Sequence, residues 1–364
     1  MKNGTLIIKP VGSSCNLSCG YCYFCKNYTE TNAKIKTDMV KKIIVEASLF
    51  YDQIEFIWHG GEPCLAGLGF FEQVIEFQKL FCKKNTVFNT IQTNGTLITE
   101  EWIQFFKNNE FKVGVSIDGP RFINDKYRHD KNFRGYYDII IDNINKLDQG
   151  NVLSGVICCI TNFAAKEPKE IFKWIIDNNI KHIKFLPVFG FVKGKLADYA
   201  VDPHDYYNFL YSVTVAWLES ENVGIEIQNI KDVICGMCGD FTKSSCEMSG
   251  RCFEYFTIYP NGKVCACDSI KFSKKLFFGR IEDGFENILA SNNFVDFKKR
   301  NHFLRKRCSS CKWFRLCKGG CFQGYYSPCI FREKSVNFFC EAYFEYLERT
   351  NDLLKTKYNL KTKY

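Results

Sequence analysis

Six short apolar runs punctuate the first half of the chain: Leu6 to Ile8, Ile54 to Trp58, Val87 to Ile91, Val113 to Ile117, Val156 to Ile160 and Ile183 to Val188. Runs of this length fit buried strands of a parallel sheet. Between them the apolar positions recur with helical period, as in Phe70 to Phe81, Glu101 to Phe106 and Tyr137 to Leu147. The alternation reads as repeated βα units with right-handed crossovers, and it predicts an α/β fold: a partial, TIM-like (β/α)6 barrel. Function is then expected at the C-terminal ends of the strands. Near residue 230 the composition shifts toward cysteine, which predicts a barrel over 1–230, a small cysteine-rich domain over 231–345 and a C-terminal helical tail over 346–364.

No apolar stretch approaches the ~20 residues of a membrane span, so no membrane partner is expected. The net charge is +9, but Lys and Arg are scattered. The densest patches, Lys298-Lys299-Arg300 and Arg305-Lys306-Arg307, are short and read as a solvated basic face, with no nucleic-acid partner. Twenty cysteines in 364 residues need another explanation. A chain of this size buries a large core without disulfide staples. Its start, Met-Lys-Asn-Gly, lacks the succession of a signal peptide. The expectation is a cytoplasmic monomer whose cysteines are metal ligands.

Cys15, Cys19 and Cys22 stand at C-x3-C-x2-C spacing just after the first apolar run. Three thiolates hold three irons of a four-iron cluster and leave one iron open, whereas electron-transfer clusters are closed by a fourth cysteine. Structural zinc would need a second ligand pair close by, which is missing. The string resembles the signature of the radical SAM enzymes. That resemblance implies a cluster that chelates S-adenosylmethionine and cleaves it to a 5′-deoxyadenosyl radical, with Tyr21 among the cofactor-binding residues.

Other loops on the same rim support this. Trp58-His59-Gly60-Gly61-Glu62-Pro63 follows the second strand and resembles the Gly-Gly-Glu-Pro motif of radical SAM proteins. Its glycines allow close backbone approach to a ligand, and Glu62 or nearby carbonyls would accept from the amino group of S-adenosylmethionine. Gln92-Thr93-Asn94-Gly95 and Ser116-Ile117-Asp118-Gly119-Pro120 follow the third and fourth strands. In the related enzymes these places touch the ribose and the methionyl carboxylate, which nominates Asn94 and Ser116. Arg128 is a candidate carboxylate partner.

The C-terminal cysteines form a second pattern: Cys246 and Cys252, a strand-turn-strand signal with Gly262-x4-Cys267, then Cys308-x2-Cys311-x5-Cys317-x3-Cys321, and Cys340. Eight ligands suffice for two closed four-iron clusters, although C-x2-C is also half of a zinc knuckle. The arrangement resembles the SPASM domain. By that resemblance Cys246, Cys252, Cys267 and Cys321 would hold one auxiliary cluster, and Cys308, Cys311, Cys317 and Cys340 the other, making three [4Fe-4S] clusters in all. Cys25, Cys64, Cys82, Cys158, Cys159, Cys235, Cys238, Cys265 and Cys329 are left as buried small hydrophobes or idle thiols.

Over nearly its whole length the chain resembles the anaerobic sulfatase-maturating enzymes, most visibly in Gln92-Thr93-Asn94-Gly95-Thr96-Leu97-Ile98 and in Cys311 to Cys321, Cys-Lys-Trp-Phe-Arg-Leu-Cys-Lys-Gly-Gly-Cys. The resemblance implies oxidation of a Cys or Ser in a sulfatase polypeptide to Cα-formylglycine, with Asp268 as general base and a flavodoxin or ferredoxin as electron donor. Two positions depart from the family: Phe24 where a Tyr is usual, and His59 where a Gln precedes Gly-Gly-Glu-Pro. A maturase that crosslinks a ribosomal precursor peptide is therefore the alternative. A non-catalytic iron-sulfur carrier leaves the open three-cysteine site unexplained.

Overall fold

The computed structural model describes residues 2–24, 34–193, 195–220, 224–242, 245–269, 274–325 and 337–364. Cys25 and Cys329 lie outside the described residues. Among the described residues, the strands are β1 (Asn3–Ile8), β2 (Gln53–Trp58), β3 (Thr86–Thr93), β4 (Lys112–Ser116), β5 (Leu153–Ile160), β6 (His182–Pro187), β7 (Phe191–Val192), β8 (Lys195–Leu196), β9 (Glu226–Ile227), β10 (Tyr255–Ile258), β11 (Lys263–Cys265) and β12 (Phe277–Arg280). All six runs read from the sequence are strands, and the α/β class holds.

Two compact units divide the chain: 1–116 with 128–154 and 253–299, and 117–127 with 155–252 and 300–364. In the first, strand order runs β12-β11-β10-β1-β2-β3-β4. β10 lies parallel to β1, and β1 to β4 are parallel to their neighbours. The strand-turn-strand signal around Gly262 is a hairpin, β10 and β11 pairing antiparallel. Its pairing with β1 carries 253–299 into the first unit, so the units do not follow the boundary expected at 230. Composition marked the cysteines; hydrogen bonding to β1 decided which sheet their strands joined.

The core of this unit follows strand alternation. Ile54, Phe56 and Trp58 turn inward from β2, and Phe71 packs edge-to-face against Trp58, Trp102 and Phe111, while Phe106 stacks on Trp102. One buried polar set is satisfied internally: Trp58 Nε1 donates to Asn89, and the Asn89 and Gln78 amides exchange hydrogen bonds. Thr99 caps the helix Glu100–Asn108 through the Trp102 N–H, with two glutamates in its first turn complementing the helix dipole.

In the second unit β6 lies between β5 and β9, parallel to both. The helix Pro203–Glu219 is capped by Asp202 and packs against the helix Cys340–Thr356. That last helix starts at Cys340 rather than 346 and ends at Thr356. The chain then turns back, and the Tyr364 ring lies 4.6 Å from that of Trp313. No helix among the described residues is long and apolar enough to cross a membrane.

Candidate active site

The loop after β1 carries Cys15, Cys19 and Cys22, all partly exposed. Its shape is fixed by the motif after β2. The Glu62 N–H donates to the Ser14 carbonyl, and Gly61, at φ +50°, presses its α-carbon against that same carbonyl, where any Cβ would collide. Gly60, at φ +96°, lies under the Lys9 side chain in the same way. Both glycines thus make room for protein neighbours, a use the sequence did not reveal.

Glu62 is fully buried, and its carboxylate accepts from the Cys64 N–H (3.0 Å), Thr93 Oγ1 (2.7 Å) and the Asn94 N–H (2.7 Å). Burial raises its pKa against these bonds. The side chain braces the rim through these three bonds. Asn94 is similarly engaged: its amide donates to Asn16 and reaches the Cys15 sulfur at 3.7 Å, while its oxygen accepts from Thr96. The Arg128 guanidinium lies 5.7 Å over the Tyr21 ring, and Gln92 donates to Ser116 at 3.0 Å. Burial pushes the Cys15 thiol up to about 11, with Glu62 and Cys22 adding to it. A metal held by this thiol would have to displace its proton.

Asp268 stands at the centre of a cluster that joins four segments. Lys9 and His59 directly follow β1 and β2, whose register sets Ile8 beside Trp58. Lys9 Nζ donates to Asp268 Oδ2 and lies 2.8 Å from His59 Nδ1; Tyr23 OH donates to the same carboxylate oxygen at 3.3 Å, and His59 Nδ1 is 3.2 Å from it. Lys9 also lies 4.8 Å over the Phe24 ring. Burial alone would raise the Asp268 carboxyl, but the Lys9 charge and the His59 contact outweigh it and hold it far below the usual carboxylate range. Lys9 was not singled out in the sequence; a lysine closing an apolar strand at its C-terminal end was the available signal.

In the second unit, the thiols of Cys308, Cys311, Cys317 and Cys340 lie within electrostatic reach of one another. Burial, then the other three, push Cys317 up to about 11. The Gly319 N–H donates to its sulfur at 3.3 Å, and three successive left-handed residues, Lys318, Gly319 and Gly320, shape the turn toward Cys321. Cys321 is raised to about 12 by burial and then by Cys252. The Cys246 thiol faces Glu247, which pairs with Lys184 at 2.9 Å. Cys267 lies in the first unit, beside Asp268. These donor sets suit iron: soft thiols, grouped, and deprotonated on binding.

The basic patch needs correction at one residue. Arg305 is buried, and its guanidinium donates to the Cys252 sulfur (3.6 Å), to Asn301 (2.6 Å) and to the Lys318 and Gly320 carbonyls. Lys298, Lys299, Lys306 and Arg307 are exposed, as a solvated face requires, and Arg300 is partly so. Of the unassigned cysteines, Cys64, Cys82, Cys158 and Cys265 are buried, Cys159 and Cys235 partly so, and Cys238 is exposed.

Residues 10–175 match the Radical SAM superfamily, and residues 246–312 match the SPASM iron-sulfur cluster-binding domain. The fold and site define a radical SAM enzyme of the SPASM class that acts on a protein substrate, with S-adenosylmethionine and several [4Fe-4S] clusters as cofactors. The chain is 31% identical to a cysteine-type anaerobic sulfatase-maturating enzyme of Clostridium novyi over all of its own length and 98% of that protein's. A serine-type enzyme of Bacteroides thetaiotaomicron is 28% identical, with 94% of this chain and 88% of that protein covered. Among solved structures, native anSMEcpe with bound AdoMet and Cp18Cys peptide is similar at a TM-score of 0.87 and 29% identity, covering 99% of this chain and all of that one. The chain belongs to the family of anaerobic sulfatase-maturating enzymes.

Proposed function

We propose that this enzyme oxidises a Cys or Ser side chain of a sulfatase polypeptide to Cα-formylglycine, beginning with removal of a hydrogen atom from the target Cβ. Family membership over the full chain carries this reading. Cys15, Cys19 and Cys22 would hold the cluster that binds S-adenosylmethionine; Cys246, Cys252, Cys267 and Cys321 the first auxiliary cluster; and Cys308, Cys311, Cys317 and Cys340 the second. When bound, these groups supply the adenosyl radical and the acceptor for the remaining electron.

The chain's own residues handle position and protons. Glu62 and Asn94 hold the rim against the cysteine loop, while Tyr21, Gly60, Gly61, Ser116 and Arg128 border the cofactor. Asp268 takes the proton of the substrate thiol or hydroxyl. Its Oδ2 is held by Lys9 and Tyr23, which turns Oδ1 to that task. A Cys target loses one hydrogen atom, one proton and one electron to become a thioaldehyde, and water then releases sulfide and leaves the aldehyde. The enzyme works as a cytoplasmic monomer with flavodoxin or ferredoxin as reductant.

The test is incubation of the anaerobically reconstituted enzyme with reductant, S-adenosylmethionine and a Cys-x-Pro-x-Arg peptide, read by mass spectrometry. Loss of sulfur with gain of oxygen is expected. Loss of hydrogen alone with sulfur retained would instead mark a crosslinking maturase.

A further inference from the structure

The four groups of the Asp268 cluster differ in what they can touch. The Lys9 side chain is 0% exposed and that of Asp268 7%, so the ion pair is covered. The His59 side chain is 35% exposed and Tyr23 40%. Incoming substrate therefore meets the imidazole and the phenol before it meets the carboxylate. The Tyr23 proton is committed to Asp268. The imidazole is what remains to be assigned.

Its tautomer follows from its neighbours. An ammonium group only donates, so the nitrogen 2.8 Å from Lys9 Nζ must accept. An N–H on Nδ1 would face the N–H groups of the cation at that distance. The Asp268 oxygen, 3.2 Å from Nδ1, is served instead by Lys9 itself, which lies between the two acceptors, with its remaining face toward the Phe24 ring. Desolvation of the ring and the Lys9 charge lower the His59 pKa against the pull of Asp268, which favours the neutral ring. A neutral ring with Nδ1 accepting carries its proton on Nε2, the nitrogen on the far side from the ion pair.

We infer that His59, held as the Nε2–H tautomer by Lys9, is a substrate-positioning hydrogen-bond donor to a carbonyl oxygen of the bound polypeptide, and not a second base. Lys9 is then a positioning residue acting through His59. Gly60 shares the task, since only a residue without Cβ lets the Lys9 stem pass across it. The inference rests on a polypeptide substrate but not on the product being formylglycine.

The experiment compares His59→Gln, which keeps a terminal N–H donor, with His59→Leu, which fills the space without one. Binding of a fluorescent Cys-x-Pro-x-Arg peptide to enzyme loaded with clusters and S-adenosylmethionine, with no reductant, isolates recognition from turnover. His59→Leu should weaken binding about three- to tenfold, the net worth of a neutral hydrogen bond, and His59→Gln should recover most of the loss. The affinities of the parent and His59→Gln should run parallel between about pH 6 and 8, because no proton is exchanged at a ring locked by Lys9, with Asp268 and Tyr23 the other titratable groups around it. Unchanged affinity in His59→Leu overturns the proposal. So does a loss of saturated turnover in His59→Gln as deep as in His59→Leu, because an amide cannot take a proton. Product analysis of the parent tests the formylglycine assignment separately.

Discussion

Replacing Asp268 by Asn asks two things at once, and the buried Lys9 allows them to be separated. The amide keeps volume but takes away both the proton acceptor and the counter-charge of an ammonium group that has no exposed surface. Stranding one partner of a buried ion pair costs about 3–5 kcal/mol, whereas removing both charges is often close to neutral. Asp268→Asn should thus lower the guanidinium midpoint of the reconstituted enzyme, and Lys9→Met/Asp268→Asn should regain most of it. Chemistry should not follow stability. Loss of a general base costs about 100- to 10,000-fold, or about 2.7 to 5.5 kcal/mol of barrier. The assay is the ratio of oxidised peptide to 5′-deoxyadenosine at saturating peptide, by mass spectrometry, for protein of matched iron content. Both variants should show that ratio reduced by the full factor. A double variant that regains stability and also oxidises peptide within a few-fold of the parent would make Asp268 a structural counter-ion and refute its role as base.

Changing Cys15, Cys19 and Cys22 together to Ala should remove about four of about twelve irons and abolish 5′-deoxyadenosine formation, measured by iron assay and chromatography. Cys311→Ala should cost iron from the second auxiliary site and lower soluble yield, since ligation is part of the folding energy of such segments; an unchanged iron count would show that the C-terminal pattern is misread. Gly61→Ala forces a Cβ into the Ser14 carbonyl at a positive φ and should weaken cluster retention in the cysteine loop, seen as lost iron and visible absorbance. On acidification below 6.5, the unfolded chain protonates His59 before the folded one does, so stability present above 6.5 falls with pH; His59→Gln should flatten that slope in denaturant titrations at stepped pH.

The α/β class and the cysteine motifs were legible because each is local. A strand shows in a short apolar run such as Ile54 to Trp58, and the expectation of an open iron site rests on the spacing of Cys15, Cys19 and Cys22. Family resemblance added Asp268 and the grouping of the remaining cysteines. What stayed hidden depends on contacts between distant segments. Glu62 and Asn94 carry motif-like residue types, and that their side chains also brace the rim became visible only when Thr93 and Asn16 stood beside them. Arg305 looked like one more surface cation until the Cys317 to Cys321 turn closed over it. Lys9 sits 259 positions from Asp268, and no spacing rule links them. Sequence by itself determined which residue types could do this chemistry and which segments would be strands, because periodicity and ligand spacing are written over a few residues. Only the tertiary structure decided which of those side chains brace, which pair and which stay exposed, because burial and counter-charge are set by whatever the sheet register brings alongside.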